Sequence, residues 1–399
     1  CLPLLVASYG SNAYSIALLS TFFWVVNPVQ VTAVTYIVQR MASMAGMFYI
    51  MSMYFYLKGR TQERQWGQIG FFLLCALSAV LAMGSKENAV MLPVSIYLYD
   101  LLLIQGITKG RVIKHVKYFI LPLFLIASIA LIFFIDIPSI LRLKDYAIRP
   151  FSMGERLLTE FRVIIFYISL LLYPTYSRLM LNHDFEISRS LFDPWTTSAS
   201  ILLVLLGLLI AVATAKKKPL ISFSIFFFFL NHLIEGSVIP LELVYEHTNY
   251  TPSMFFFIPP SLLIINALKY FSPQKIIQVM IILLTGILII AQGHTVHMYN
   301  YTFKDPYILW SDNIAKAPNL SRPLNNLGNC LWDRGLYEEA YQAYEKAFQL
   351  NRYPVLTMVA APVSNMGRYH FLKKDYAAAM DNFEVSLKIN PKNMRTWVN

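Results

Sequence analysis

Two groups of titratable side chains have the types and spacing for chemistry: His232 with Glu235 three residues on, and the adjacent Glu246 and His247 followed by Tyr250. All sit in the stretch Asn231 to Ser253, which carries three acids, Glu235, Glu242 and Glu246, two histidines and no lysine or arginine. Carboxylates and imidazoles so placed can hold a hydroxyl-rich ligand or move protons. Acids beside lipid without matching cations need a partner or a task. Complementary charge is available elsewhere. Arg40 opens an apolar run, either as an interfacial arginine whose stem snorkels or as a phosphate ligand. Lys86 and Glu87 lie together in the turn GSKEN, as a surface cap or as a cation and a carboxylate for a headgroup. Arg162 borders the apolar half of its segment, where a buried guanidinium needs an anion such as a phosphate. Arg156 and Glu160, four residues apart, are expected to pair with each other. His183 and Asp184 read as a solvated turn.

The elements that must position these residues are membrane helices. The chain is 57% hydrophobic and only 14% charged, with mean hydropathy +0.51, more apolar surface than one water-exposed core of this length buries. An all-α, polytopic membrane protein is expected. About 20 apolar residues cross about 30 Å of hydrocarbon, and nine stretches come close: 12–26, 41–57, 66–84, 88–105, 116–135, 197–215, 219–234, 254–269 and 275–293. A tenth, 155–173, is charge-free only over 163–173, roughly 16 Å of helix at about 1.5 Å per residue, and is expected to lie in the interface or re-enter rather than cross. IFFFFL precedes the Asn231 to Ser253 stretch and FFFIPP follows it, so it leaves one membrane helix and enters the next.

Charge gives the sides. With 155–173 not crossing, one face receives Lys58, Arg60 and Arg64; Lys109, Arg111, Lys114 and Lys117; Lys216, Lys217 and Lys218; and Lys269 and Lys275, opposed there by Glu63. An excess of cations in short loops marks the cytoplasmic side. The other face receives 27–40, 85–87, the neutral segment 136–196, the loop 231–253 and the C-terminal part. Much of the net charge of +11 thus faces anionic lipid headgroups, and no basic face interleaved with aromatics provides for nucleic acid. Cys1, Cys75 and Cys330 form no CxxC pair, and no disulfide is expected. His294 and His297 read as interfacial side chains, so no metal site is assigned.

From Ser321 the chain repeats. Leu327-Gly328, Ala340, Tyr344 and Ala347 recur as Met366-Gly367, Ala379, Phe383 and Ser386, at offsets 12, 16 and 19 from each glycine. This is the tetratricopeptide pattern of paired helices. The glycines are 39 apart, above the usual period of about 34, and the surplus falls between the repeats near Tyr353 to Met358. The expected organisation is a membrane domain over 1–293, an amphipathic connector over 294–320, and repeats over 321–399, two complete and a third cut off near Trp397. Upstream sequence before Cys1 is also expected.

NPVQ with AVTYIVQR, the run SKENAVMLPVSIYLYD, and EHTNYTPSM resemble the transmembrane and tetratricopeptide repeat O-mannosyltransferases, which are similar to the GT-C glycosyltransferases. The resemblance implies a polyprenyl-phosphate sugar donor, a protein or glycan hydroxyl as acceptor, and a site on the lumenal or periplasmic side, here the periplasmic side of a bacterial inner membrane. The family usually has His-Pro where Asn27-Pro28 stands, often an acid at Thr32, and Glu-Arg where Glu246-His247 stands. Tyr250, Pro252 and Ser253 keep its Tyr-x-Pro-Ser element. Its catalytic acid belongs to a first outer loop that would precede Cys1, so no catalytic residue is assigned and the chain by itself is expected to be inactive. The candidate donor- or substrate-binding residues are Arg40, Lys86, Glu87, Arg162, His232, Glu235, Glu246, His247 and Tyr250, with Arg40, Lys86, Arg162 and His247 for the phosphate. A divalent cation is compatible with this chemistry, although no ligand cluster is visible. Competing readings are an oligosaccharide polymerase or ligase, and a non-catalytic anchor that displays the repeats for envelope assembly.

Overall fold

The computed structural model describes residues 10–108, 149–350 and 356–391, together with Gly110 and Tyr146. Among these residues the regular elements are all helical. The expected span 116–135, the basic run Lys109 to Lys117, Cys1 and Trp397 lie outside them.

Helix α1 (Ala13–Val25) ends where Asn27-Pro28 removes a backbone donor. The Asn27 side chain accepts from the Val29 N–H and donates to the Leu171 carbonyl at 2.9 Å. The chain then continues as a short helix to Thr35, bent 55° from α1. Helices α2 (Arg40–Thr61) and α3 (Gln65–Ser85) pack along each other. A turn at Glu87–Met91 leads to α4 (Leu92–Tyr99), which runs on as a π-helical stretch to Gln105. Arg60 at the end of α2 pairs with Asp100 at 2.8 Å, so Asp100 joins Glu63 as an acid at that basic end.

Helix α5 (Met153–Leu172) starts from a capping box between Ser152 and Glu155, which satisfies two otherwise orphaned N–H groups. One face of it is buried and carries Arg156, Thr159, Glu160, Val163, Tyr167, Leu170 and Leu171. It is not among the helices apolar enough to cross a membrane. Helices α6 (Thr196–Thr214) and α7 (Pro219–His232) are antiparallel neighbours joined through Lys216 to Lys218. After the loop come α8 (Ile258–Tyr270) and α9 (Lys275–Thr302).

Among the described residues, five segments are long and apolar enough to cross a membrane: Gln65–Ser85, Glu87–Gln105, Thr196–Thr214, Pro252–Tyr270 and Lys275–Thr302, or six if the bent pair around Pro28 counts as one. Helix α7 is apolar but shorter, and α2 is outside this set because its serines, glycines and tyrosines dilute its hydropathy. Much of the apolar surface is uncovered: Leu202, Leu209, Ile276 and Ile290 are each at least 65% exposed. Inside, aromatic edges hold the helices together, with Phe227 against Phe255 at 4.7 Å and Tyr99 against Phe223 at 5.5 Å.

Helix α9 runs unbroken through 294, where the sequence places a boundary. Helix α10 (Pro306–Lys316) follows and is docked onto the segment around Leu179 to Asn182. Asn313 exchanges two hydrogen bonds with the Asn182 backbone, each 2.9 Å, and Lys316 Nζ donates to the Leu179 carbonyl at 2.9 Å. The repeats form two helix pairs, α11 (Ser321–Asp333) with α12 (Tyr337–Gln349), and α13 (Leu356–Leu372) with α14 (Tyr376–Ile389). A carbon added at Gly367 would lie 2.7 Å from the Phe383 ring, and one at Gly328 would be closer still to Tyr344. The aromatic of each repeat therefore seats on the glycine of its own repeat.

Candidate functional site

A cavity of about 300 Å³ opens at the end of the helices opposite the Lys216 to Lys218 turn, within the size range of small-molecule sites. Five parts of the chain build it. Gln39 and Met41 come from the start of α2, Lys86 to Asn88 from the turn after α3, and Glu160, Ile164 and Tyr167 from α5. Arg149 and His232 add to the wall, and Glu235 to Thr248 supply the loop side.

One side chain fixes the loop. Arg156 is wholly buried and donates Nε to the Ser237 carbonyl at 2.9 Å, Nη1 to the carbonyl of Leu241, and Nη2 to the carbonyl of Glu235. It also makes the expected contact with Glu160, at 2.8 Å. A guanidinium offers five donors in a rigid fork, so a single residue of α5 gathers three carbonyls from a segment that has no helix of its own.

The charges on the wall are paired but unequal. Lys86 Nζ lies 2.9 Å from Glu235 Oε1, which also accepts from Asn88 at 3.2 Å. Arg149 binds Glu242 at 2.8 Å. Burial raises the Glu160 carboxyl to about 8, against the pull of Arg156 and with a smaller push from Glu235, so at neutral pH most of it carries a proton. His247 is lowered to about 3 by burial first and the Lys86 charge second, so it enters the site as a neutral imidazole. His232 points Nδ1 at the Phe228 carbonyl at 2.9 Å. A carbonyl only accepts, so the proton is on Nδ1 and Nε2 is an acceptor.

Four buried polar atoms on this wall lack a hydrogen-bond partner: Glu160 Oε1, His232 Nε2, His247 Nδ1 and Arg149 Nε. The Arg156 contact brings charge close to Glu160 Oε1 without the alignment of a hydrogen bond. Unpaired buried polar atoms are expensive, about 1–3 kcal/mol each, and a ligand bearing both donors and acceptors would satisfy them. Among the described residues no three His, Cys, Asp or Glu side chains converge to hold a metal ion.

Of the nine residues singled out in the sequence, Lys86, Glu87, His232, Glu235 and His247 line this cavity. The other four lie elsewhere. Arg40 is exposed beside it and donates Nε to the Val34 carbonyl at 3.2 Å. Arg162 turns to the Glu186 carbonyl at 2.8 Å and carboxylate at 3.2 Å, over the Phe185 ring. Tyr250 packs edge-on against Trp24 at 5.0 Å. Glu246 is buried and faces away, accepting the Met180 N–H at 2.7 Å and His183 Nε2 at 3.2 Å. His183 is thus bound to a buried carboxylate and is not part of a solvated turn.

Arg149, Glu160, Tyr167, Glu242 and Tyr245 complete the wall without having been chosen from the sequence. Glu160, Ile164 and Tyr167 share one helical face, a pattern the sequence does carry, hidden behind the local pairing of Arg156 with Glu160. Arg149 and Glu242 meet only through the fold. A second cleft, of about 690 Å³, shares Glu242, Leu243 and Tyr245 with the first and is bounded on its far side by Asn319 to Pro323 of the repeats. Arg322 crosses this boundary, reaching Glu242 at 3.2 Å and the Tyr245 hydroxyl at 3.0 Å.

Residues 319–392 match the tetratricopeptide repeat family model. No curated protein and no solved structure matches the chain. The C-terminal part is therefore a tetratricopeptide array, of a kind that generally mediates protein–protein interaction.

Proposed function

We propose that the chain is the donor- and acceptor-binding part of a multi-pass membrane protein of the GT-C glycosyltransferase kind, a protein that passes a sugar from a polyprenyl-phosphate donor to a hydroxyl on the extracytoplasmic side, while the repeats hold the acceptor polypeptide or a partner. The observation that carries this reading is the convergence of four unpartnered buried polar atoms on a cavity already holding Lys86, Glu235 and Glu242. A sugar ring presents hydroxyls that donate and accept at once, which suits an acid that keeps its proton, two neutral imidazoles and a guanidinium. Lys86 and Arg149 supply the positive charge for a phosphate.

The topology supports the same assignment. Helices α2, α3 and α7 each run between the basic end, at Lys58, Arg64 and Lys218, and the cavity end, at Gln39, Lys86 and His232. Uncovered apolar helices suit lipid. The domain limits are those read from the sequence, with the membrane part extended along α9 to its end at Thr302. In the reaction, the acceptor oxygen bonds to the anomeric carbon as the carbon–oxygen bond to the phosphate breaks. The electron pair leaves with the polyprenyl phosphate, and a base takes the acceptor proton. No residue described here is assigned as that base.

The test is binding of a short-chain polyprenyl-phosphate mannose to the chain in lipid nanodiscs. Lys86→Ala and Glu235→Gln should each weaken it by about 10–100-fold, the range for a lost charged hydrogen bond. Wild-type affinity in both variants would remove the cavity from the donor site. A scaffold reading is favoured by the family match being confined to the repeats. It requires both variants to be silent in vivo and loss of 321–399 to abolish function.

A further inference from the structure

The larger cleft lies between two runs that belong to no helix or strand, 183–189 from the outer segment and 242–244 from the loop. Among the described residues, the backbone N–H groups of His183, Asp184, Phe185, Glu186 and Ile187 make no hydrogen bond, and neither do those of Glu242, Leu243 and Val244. The Asn182 side-chain oxygen, also on the wall, is buried without a partner. His183 is 5% exposed at its side chain, and with Nε2 given to Glu246 its Nδ1 has no partner.

We propose that this cleft binds an extended polypeptide segment, which lies between the two runs and satisfies, by main-chain hydrogen bonds, those of their amides that face it. Unpaired main-chain groups along an open edge are the feature by which extended peptides are recognised. The repeats supply the direction. Asn319 and Leu320 before α11, its first residues Ser321 to Pro323, and Leu350 after α12 line the cleft on the solenoid side, so the cleft is contiguous with the array. Glu242, Leu243 and Tyr245 line both cavities, which brings a side chain of that segment to the wall of the smaller one. In terms of the function proposed above, on which the inference rests, the segment is the hydroxyl-bearing acceptor.

Amide hydrogen exchange of the chain in nanodiscs tests this with an unstructured peptide bearing a central threonine. Exchange over 183–187 and 242–244 should slow by about tenfold or more, since a new hydrogen bond must open before exchange. Asp184→Trp, an exposed position that would fill the cleft, should abolish the slowing and leave binding of the short-chain polyprenyl-phosphate mannose intact. Slowing confined to the repeats would overturn the inference, as would displacement of the peptide by a neutral oligosaccharide. If the peptide protects these amides while the mannose donor does not bind, the cleft stands and the transferase reading fails.

Discussion

The repeats and the cavity are built in opposite ways. In the repeats the decisive contacts are local: Tyr344 seats on Gly328 sixteen residues away, and Ser386 Oγ reaches the Ala360 carbonyl at 2.8 Å across the adjacent helix. In the cavity the decisive contacts are remote: Lys86 meets Glu235 across 149 positions and Arg149 meets Glu242 across 93. Among the described residues no buried side-chain polar atom of the repeats lacks a partner, whereas the cavity wall concentrates four. A module of local contacts offers a surface. A wall of remote contacts with unsatisfied groups is held in place by the rest of the fold and is suited to a ligand.

The contrast can be broken most forcefully at Arg156. Removing the buried guanidinium leaves three carbonyls without their donor and should destabilise the membrane part by several kcal/mol, at about 1–3 kcal/mol for each unsatisfied group. Arg156→Met should therefore lower the thermal transition of that part and abolish cavity binding, with the repeats' transition unmoved. Equal loss in both regions would mean they are not separable. The converse test is Gly367→Val, which places methyl groups inside the Phe383 ring and should weaken the repeats by about 1–3 kcal/mol, read by faster proteolysis of 356–391 with donor binding unchanged.

Glu160 sharpens the comparison through pH. Its carboxyl is raised from 4.5 to about 8 in the folded chain, so the folded state holds the proton more tightly than the unfolded state. The stability this brings is complete below pH 4.5 and is lost as pH rises through about 8. Denaturant midpoints should fall across that window for the membrane part, and Glu160→Gln should flatten the slope. A profile rising with pH in that window would contradict the assignment. The smallest effect is expected at Arg162, which the fold commits to Glu186 and Ser188. Arg162→Ala should change donor binding by less than about threefold and act instead on the peptide cleft, through the 186–188 run.

Legibility in the sequence followed the same division. The repeat spacing from Gly328 and Gly367 located the array because each contact recurs at a fixed offset. Apolar runs located α3, α6 and α9, and the charges crowding the start of α5 set it apart from the crossing helices. Within the site, Lys86, His232, Glu235 and His247 were visible as charges interrupting apolar sequence. Glu160 was not, because its partner four residues back accounted for it locally, and Arg149 was not, because its partner is 93 positions away. Glu246 and Arg162 carry the same kind of signal as Glu235, yet they bind His183 and Glu186. Residue type marks a buried charge, and only the fold decides which cavity it serves.

In the function proposed above, the smaller cavity takes the sugar of a polyprenyl-phosphate donor. The most direct measurement is an electron cryomicroscopy structure of the chain in nanodiscs with a short-chain polyprenyl-phosphate mannose. The ring should lie within hydrogen-bond reach of Glu160, His232 and His247, with the phosphate beside Lys86. An empty cavity at saturating donor, or a ring bound away from those four residues, would contradict it.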